Sequence, residues 1–375
     1  MTMFSKNGRI SEKQLRRMVV LPVFASVIFV LPYVSSKLFG QSVVPGLLLF
    51  LVLSGGYILY VYGMGEWYEK CRRTTGKEGY ISVLTQSGAI GGALFVIQIV
   101  RLVVRLAFYI LLTMAILGEA QVPFFVSLSD ETYSGVLVVL PLLLVGLYGA
   151  NVKVEKQGRI HEMLFWLLFL PFLVMILFGL KEVDYETFVP KVDKSFSNLL
   201  LYAYMLLVFV LPMENYLYLR PNLRRNKEHN RSCFAVIFVI ALAIVITLFI
   251  LGIYGLQGAS DQPLLTIDIM RYIRLPFGVL ERFDVLMIWF FMIGCFVLIC
   301  ELLYFGKFIF CRRIKGALPI GVLLVLLALS LVIVIGVRNY NNALLTFICY
   351  GAVMDVPLSI ILPILGIGIN TLYSD

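Results

Sequence analysis

Long runs of apolar residues, separated by shorter stretches that carry most of the charges, dominate the pattern of this chain. A helix needs about 20 apolar residues to cross a hydrocarbon core of roughly 30 Å. A membrane-spanning β-strand would instead alternate apolar and polar residues over about ten positions, and these runs do not alternate. We therefore predict an all-α membrane protein with ten transmembrane helices. The ten segments are residues 18–39, 43–64, 88–117, 135–151, 162–180, 197–219, 233–255, 283–310, 317–337 and 344–371.

The composition agrees with this pattern. Of the 375 residues, 61% are apolar and 14% are charged, whereas soluble domains have about 45–50% and about 25%. Together with a mean hydropathy of +0.95, this predicts one transmembrane domain over residues 1–375, in an integral multi-pass membrane protein. Two His and six scattered Cys leave little material for a metal site. Because no nucleotide-binding loop, nucleophile elbow or metal-ligand spacing occurs, we expect neither an enzyme nor a bound cofactor or metal.

The positions of Lys and Arg indicate the orientation. Short cytoplasmic loops of membrane proteins carry an excess of these residues. With a cytoplasmic N-terminus, 20 of the 31 basic residues fall in inside loops, 8 in outside loops and 3 within the predicted helices. This distribution predicts that both termini are cytoplasmic. Because membrane topology accounts for the net charge of +9, we expect the chain to contact membrane lipid and not nucleic acid.

Ten helices divide into two repeats of five, residues 1–195 and 196–375. Since five is odd, the second repeat enters the membrane from the opposite side, as in inverted-repeat transporters, whose substrate site lies where paired helices are broken near the middle of the membrane. Segments 1 and 6 begin the two repeats, and each contains proline near polar residues: Pro22 and Pro32 in the first, Pro212 in the sixth. Proline removes a backbone donor. We therefore predict paired breaks at these positions, with simple proline kinks as the alternative.

The connection between segments 7 and 8, residues 256–282, contains an amphipathic stretch at residues 264–273. Two placements fit such a stretch. In the first it lies over an outer vestibule of the helix bundle. In the second it rests as an interfacial helix on the lipid surface. The sequence leaves both placements open.

Two basic and three acidic residues inside the predicted helices lie at similar depth. Arg101 and Arg105 are four residues apart in segment 3 and hence on one face, while Glu214, Glu301 and Asp355 lie in segments 6, 8 and 10. Each charge would cost roughly 2.5–3.5 kcal/mol or more at the centre of a bilayer, so such groups face protein or water and usually pair. The sequence predicts either structural ion pairs or a cavity that handles an ion or a zwitterion. Glu301 is nearest the cytoplasmic end, and the alternative is that its carboxylate extends to the interface.

Several short segments resemble, in their order and spacing, one family of membrane proteins. These segments are Ile10–Leu15, Gln157–Glu162 followed by Pro171, Phe188–Pro190, Leu211–Glu214 and Thr266–Trp289. The last is the strongest, with Arg271, Tyr272 and Ile273 ahead of the run from Phe277 to Asp284. Together they are similar to the B subunit of GerA-type spore germinant receptors, a family of the amino acid–polyamine–organocation transporter superfamily. The resemblance extends over nearly the whole chain.

This resemblance implies a ten-helix transporter fold of the LeuT-like, 5+5 inverted-repeat type. It also implies a subunit that senses a small nutrient, often an amino acid, in a receptor with an A subunit and a lipoprotein C subunit in the bacterial cell membrane, here the inner membrane of the spore. Four features depart from the family pattern. Residues 24–26 lack the glycine usual at the break of segment 1, Pro212 stands where glycine is usual in segment 6, Leu106 stands where an acid commonly follows the matched Arg105, and Arg101 is additional.

We therefore expect a nutrient-sensing receptor subunit that binds a small zwitterion, such as an amino acid, between segments 1 and 6. Backbone donors at Ala25 and Ser26 would meet its carboxylate, since helix ends of this kind attract anions, and Phe209 and Met213 would form apolar walls. The expected substrate-binding residues are Phe24, Ala25, Ser26, Gln98, Arg101, Phe209, Pro212, Met213 and Glu214, with Arg105, Glu301 and Asp355 as a buried charge network or ion-coupling group.

Two other classes of function fit the same pattern. One is a secondary transporter that couples amino acid movement to H⁺ or Na⁺ through Glu214 or Asp355. The other is a purely structural channel scaffold with a degenerate pocket, which the missing glycines allow. Substrate accumulation by this chain alone separates the transporter from the sensor.

Overall fold

The computed structural model describes residues 9–75, 80, 89–119, 131–185, 189–223, 232–262, 264–266, 269, 283–314, 316–337 and 340–372. In this part of the chain the regular elements are helical, apart from an isolated bridge between Ile10 and Leu223. The α-helices are α1 (Glu12–Phe39), α2 (Val43–Thr75), α3 (Ala89–Glu119), α4 (Glu131–Ala150), α5 (Val154–Gly179), α6 (Phe196–Met205), α7 (Asn215–Leu219), α8 (Ser232–Tyr254), α9 (Leu256–Asp261), α10 (Phe283–Arg313), α11 (Pro319–Gly336), α12 (Tyr340–Tyr350) and α13 (Val356–Leu372). A 3₁₀ segment, Leu206–Glu214, joins α6 to α7, and a π-helical turn, Gly351–Asp355, joins α12 to α13.

Seven helical runs of the described residues are long and apolar enough to cross a membrane. They are Glu12–Arg72, Ile90–Leu117, Phe196–Asn222, Ser232–Tyr254, Ile288–Arg313, Pro319–Gly336 and Ala343–Gly368. The first run contains both α1 and α2, separated by a short 3₁₀ turn at Gly40–Ser42. Helix covers all ten predicted segments, because α4 and α5 supply the fourth and fifth. The predicted all-α membrane class is confirmed, whereas ten crossings and the inverted repeat stay predictions.

α1 is the central helix of the bundle. Apolar residues occur on all its faces, which is typical of a helix buried all round, and every residue from Met18 to Ser36 is buried. The helix packs against the 3₁₀ segment, α5, α8 and α10. Aromatic rings fill these contacts, as where Phe29 stacks on Phe291 of α10 with ring centroids 4.6 Å apart. α1 therefore connects both halves of the chain through its packing.

The predicted break in segment 1 is wrong, since α1 is a continuous α-helix through Pro22 and Pro32. Pro32 has no N–H to donate to the carbonyl of Ile28, four residues earlier. The hydroxyl of Thr266 donates to that carbonyl instead, at 3.3 Å. A partner from another part of the chain thus satisfies the freed backbone group, and the helix stays intact.

The same hydrogen bond locates part of the connection between segments 7 and 8. Leu264, Leu265, Thr266 and Ile269 are buried, and Thr266 contacts the middle of α1. This part of the amphipathic stretch at residues 264–273 therefore packs on the protein and does not rest on lipid. The remaining residues of the stretch lie outside the described part of the chain.

Thr266→Val tests the role of this contact, because it removes the hydroxyl and keeps the shape of the side chain. We expect the free energy of unfolding to fall by about 1 kcal/mol, the usual contribution of a buried hydrogen bond, in a denaturation measurement in detergent. Thr247→Val is the matched control, since the buried Thr247 hydroxyl has no hydrogen-bond partner among the described residues and should cost nothing to remove. Equal losses in both variants would contradict the role of Thr266.

The predicted irregularity of segment 6 is confirmed, and segment 10 is irregular as well. Leu206–Glu214 is 3₁₀-helical around Pro212 and entirely buried, although such runs rarely exceed three or four residues. The π turn Gly351–Asp355 lies just before Pro357. The two stretches are in contact, because a Cβ atom on Gly351 would lie 2.5 Å from a methyl group of Val208. Two irregular backbone stretches therefore face each other in the core of the bundle.

Candidate functional site

One face of α3 presents four polar side chains to the core. Gln98, Arg101, Arg105 and Tyr109 follow each other at intervals of three or four residues, so they lie on one side of the helix. All four are at most 4% exposed. Burying a charge without a partner costs several kcal/mol. This stripe therefore has to meet polar groups of opposite charge inside the bundle.

Two acidic side chains meet the stripe, and each lies at the end of an irregular stretch. Glu214 is the last residue of the 3₁₀ segment, and Asp355 is the last residue of the π turn. Both are at most 1% exposed. The acids lie between 109 and 254 residues from the arginines along the chain. The structure therefore pairs the two arginines of segment 3 with the acids of segments 6 and 10.

Arg101 contacts both acids. Its Nε donates to Oδ1 of Asp355 at 2.5 Å, and its Nη1 and Nη2 donate to Oε1 and Oε2 of Glu214 at 3.0 and 2.9 Å. Nη1 also donates to Oε1 of Gln98 at 2.7 Å, and Nη2 to the backbone carbonyl of Asp355 at 3.3 Å. The two-point contact with Glu214 is the strong geometry that guanidinium and carboxylate groups form. Arg101 thus holds the 3₁₀ segment and the π turn against α3.

Arg105 binds the same two acids. Its Nε and Nη2 donate to Oδ2 and Oδ1 of Asp355 at 2.6 and 2.8 Å, and Nη2 also reaches Oε2 of Glu214 at 3.1 Å. We refer to Arg101, Arg105, Glu214 and Asp355 as the ion-pair network. Its two positive and two negative charges cancel. This balance makes the burial of four charged groups tolerable, since loss of one member leaves an uncompensated charge.

Tyrosine hydroxyls border the network on two sides. Gln98 donates through Nε2 to the hydroxyl of Tyr218 at 2.7 Å. Tyr109 shares a buried hydrogen bond of 2.9 Å with Ser26 of α1. Neither tyrosine is among the predicted site residues, although each lies four residues after a charged member of the network. That spacing is the signal in the sequence that would have identified them.

The residues predicted from segment 1 lie outside the network. The ring of Phe24 packs on α5, stacked on Phe169 at 4.3 Å and edge-on to Phe172 at 5.4 Å. The N–H groups of Ala25 and Ser26 belong to a continuous α-helix and donate within it. The predicted role of these N–H groups in binding a carboxylate is therefore wrong. Only the side chain of Ser26 reaches toward the network, through Tyr109.

The residues predicted from segment 6 lie in the 3₁₀ segment. Phe209, Pro212 and Met213 are all buried there. The ring centroid of Phe209 is 6.5 Å from that of Phe108 on α3, and Phe108 stacks on Phe347 of α12 at 3.8 Å. Aromatic side chains therefore connect the same three segments that the ion-pair network joins.

An apolar cavity of about 570 Å³ lies between α3, α11 and α12. Phe108, Phe347 and Tyr350 are among the residues that line it. Tyr350 directly precedes the π turn that ends at Asp355, so the cavity adjoins the ion-pair network. Its lining is predominantly apolar, which suits a hydrocarbon group.

Glu301 does not join the ion-pair network. It is 2% exposed, its Oε1 atom has no hydrogen-bond partner among the described residues, and the side chain of Asn215 is a polar neighbour of the carboxyl group. The alternative in which its carboxylate extends to the cytoplasmic interface is therefore wrong. An acidic group buried in a membrane without a cation is commonly a functional one. Within the described ranges, no group of three or more His, Cys, Asp or Glu side chains is placed to hold a metal ion.

A bundle of apolar helices with a charge-balanced network between irregular segments defines a class: a multi-pass integral membrane protein. A family described as spore germination protein, of the spore permease type, matches residues 101–343. Because this match covers more than half of the chain, the protein belongs to the spore germination protein family. The predicted family is thereby confirmed, and it is a receptor- and transporter-type family. Among curated proteins, none matches the chain.

Proposed function

We propose that the protein is a nutrient-sensing subunit of a spore germinant receptor and that its ligand is a small zwitterion such as an amino acid. The observation that carries this proposal is the ion-pair network, which places two positive and two negative groups at the junction of the 3₁₀ segment and the π turn. A zwitterion carries the same pair of charges. It can therefore exchange with contacts of the network without leaving an unpaired charge in the membrane.

Such an exchange links binding to a conformational change. The ligand carboxylate takes the place of Asp355 on Arg101 and Arg105, and the ligand ammonium group pairs with the released carboxylate. Since Asp355 ends the π turn and Glu214 ends the 3₁₀ segment, release of either acid frees that stretch from α3. Turns of the π type are frequent at functional sites. Nutrient binding is thus converted into a shift of segments 6 and 10.

The apolar cavity supports a ligand with an apolar side chain. It adjoins the network through Tyr350, so one small molecule can place its charged groups on the network and its hydrocarbon group beside Phe108. Burial of apolar surface adds about 25 cal/mol per Å² to such binding. Amino acids with large apolar side chains are therefore the ligand class that the described surfaces favour.

The proposed setting is the inner membrane of the spore, in a receptor with A and lipoprotein C subunits. The proposed architecture has ten crossings in two inverted repeats of five, a LeuT-like arrangement with both termini in the cytoplasm. Two observations support it. Helix covers all ten predicted segments, and α1 packs directly on the 3₁₀ segment, so that the first helices of the two repeats meet in the core.

Binding of the twenty amino acids to the full chain in lipid nanodiscs tests the proposal. We expect at least one apolar amino acid to bind, and Glu214→Gln to weaken its binding at least tenfold, because the variant removes one charge of the network. Glu66→Gln is the matched control: Glu66 pairs with Arg220 at 2.8 Å and accepts a hydrogen bond from Tyr216, but it lies outside the network. The proposal fails if no amino acid binds or if both variants weaken binding equally.

A secondary transporter coupled to H⁺ or Na⁺ is the second candidate function, and Glu301 favours it. The acids first considered for coupling, Glu214 and Asp355, are each held by two arginines. Glu301 is instead a buried carboxyl group without an arginine partner in the described structure. Because a coupling group has to bind and release a cation, an unpaired acid suits this role better than a paired one.

Uptake into proteoliposomes that contain this chain alone distinguishes the two functions. The sensor proposal predicts no accumulation of amino acid above the external concentration. Robust accumulation would instead favour the transporter function over the sensor proposal. In that case Glu301→Gln should abolish accumulation and leave the affinity for the amino acid within about twofold of that of the unsubstituted protein. Glu155→Gln is the control, since Glu155 forms a surface pair with Arg159, and such pairs contribute little.

A further inference from the structure

A second cavity, of about 380 Å³, lies at the basic end of the bundle between α1, α5 and α8. Lys13, Arg16 and Arg17 of α1 line one side of it, and aromatic side chains that include Phe165, Trp166 and Phe238 line the other. It is distinct from the candidate nutrient site, since none of its lining residues belongs to the ion-pair network or to the cavity beside Phe108. A ligand of this cavity would therefore bind separately from the proposed nutrient.

The basic side of this cavity carries more positive charge than the neighbouring acid neutralises. Arg17 is the most engaged cation, because it pairs with Glu162 at 2.8 Å and places its guanidinium group 5.2 Å from the ring centroid of Phe165. Lys13 reaches the same carboxylate only at 3.8 Å, with 60% of its side chain exposed. Arg16 forms no ion pair within the described part of the chain. Glu162 thus pairs with two of the three cations, and the charges of Arg16 and of the largely exposed Lys13 are available to an anion.

The opposite side of the cavity is apolar and opens at the outer surface of the helix bundle. Trp166 and Phe238 are each 68% exposed there. The lining of α1 runs from Lys13 to Val20, which corresponds to about 10 Å along the helix. A cavity of this depth, basic at one end and apolar along the rest, matches the headgroup and the upper part of one acyl chain of a lipid.

We propose that this cavity is a binding site for an anionic phospholipid of the cytoplasmic leaflet. The lipid phosphate contacts Lys13 and Arg16, and the upper part of one acyl chain lies along Phe165, Trp166 and Phe238. Basic pockets between transmembrane helices on the cytoplasmic side bind anionic headgroups in this way. A soluble phosphate compound fits less well, because it would leave the aromatic side of the cavity unfilled.

Quenching of Trp166 fluorescence by lipids with brominated acyl chains tests the site directly. The chain has three Trp, so Trp67→Phe/Trp289→Phe leaves Trp166 as the reporter in the full-length protein. In mixed micelles we expect brominated phosphatidylglycerol to quench Trp166 at a concentration at least tenfold lower than brominated phosphatidylcholine. Equal quenching by the two lipids would overturn the proposal.

Lys13→Gln/Arg16→Gln in the same background should raise the concentration of phosphatidylglycerol needed for quenching about 25-fold. This corresponds to roughly fivefold for each basic residue near the membrane surface. Lys153→Gln/Lys156→Gln is the matched control, because it removes two exposed cations from the same end of the bundle, outside the cavity. Equal weakening in both pairs would overturn the proposal, as would displacement of the lipid by glycerophosphoglycerol at lipid-like concentrations. If the first pair does not fold in a thermal unfolding assay, Arg16→Gln alone carries the test, with about fivefold weakening expected.

Discussion

Asp355→Ala is expected to lower the free energy of unfolding by about 3–5 kcal/mol and to reduce the amount of folded protein in the membrane. The substitution removes the acceptor of three hydrogen bonds from the side chains of Arg101 and Arg105. Two buried arginines then face the single carboxylate of Glu214. Breaking a buried pair costs this much because the remaining charge is not compensated. Thermal unfolding in detergent and immunoblots of the membrane fraction measure the two effects.

A second substitution should restore part of the loss. In Asp355→Ala/Arg105→Ala, Arg101 and Glu214 remain as a balanced pair with two hydrogen bonds. A double-mutant cycle measures the coupling, which reaches about 0.5–3 kcal/mol for residues in one network. Met354→Ala is the control, since Met354 neighbours Asp355 but is 54% exposed and should tolerate the change.

The outcome of the Asp355 experiment separates a structural acid from a functional one. If Asp355→Ala stays folded but loses the nutrient response, the carboxylate acts in sensing or ion coupling and does not hold the bundle together. If folding and response both stay unchanged, the network has neither role. Additive losses in the double variant would mean that Asp355 and Arg105 do not interact.

Gly351→Ala is expected to destabilise the protein by about 1–3 kcal/mol and to impair the nutrient response. The added Cβ atom would lie 2.5 and 2.6 Å from the two methyl groups of Val208, closer than atoms can approach. Overpacking of a buried contact typically costs this amount. Because Gly351 begins the π turn that ends at Asp355, the clash moves the turn away from the 3₁₀ segment and disturbs the ion-pair network.

Val208→Ala should relieve this clash, because it removes both methyl groups. We therefore expect Gly351→Ala/Val208→Ala to be more stable than Gly351→Ala in a denaturant titration in detergent. Gly55→Ala is the matched control, since a Cβ atom there meets nothing within 4 Å and alanine is preferred over glycine inside a helix by roughly 0.5–1 kcal/mol. A Gly351→Ala variant as stable as the Gly55→Ala variant would show that the contact with Val208 is not tight.

Two features of the fold were predictable because their causes are local or general. Unbroken apolar runs have to satisfy their backbone polar groups internally in lipid, and helix indeed covers all ten predicted segments. The cost of an unpaired charge in the membrane likewise predicted that Arg101 and Arg105 meet acids. Their spacing on α3 placed both on one face, where Asp355 and Glu214 contact them.

The breaks and the choice of acids were predictable only in part, because they depend on partners distant in the sequence. Proline disturbs the backbone in segment 6 but not in α1, where Thr266 satisfies a carbonyl 238 residues away. Similar depth in the membrane made three acids candidate partners of the arginines. Only the packing of the 3₁₀ segment and the π turn against α3 brings Glu214 and Asp355 to the arginines, and it leaves Glu301 apart.

By itself, the sequence determined that this chain is a bundle of membrane helices with buried charges that need partners, because hydrocarbon imposes those requirements on every segment separately. The tertiary structure alone decided that α1 is continuous, that the ion-pair network joins segments 3, 6 and 10, and that Ser26 bonds to Tyr109. Each of these features depends on a contact between segments that are far apart in the sequence. A local sequence pattern does not show which distant side chain makes that contact.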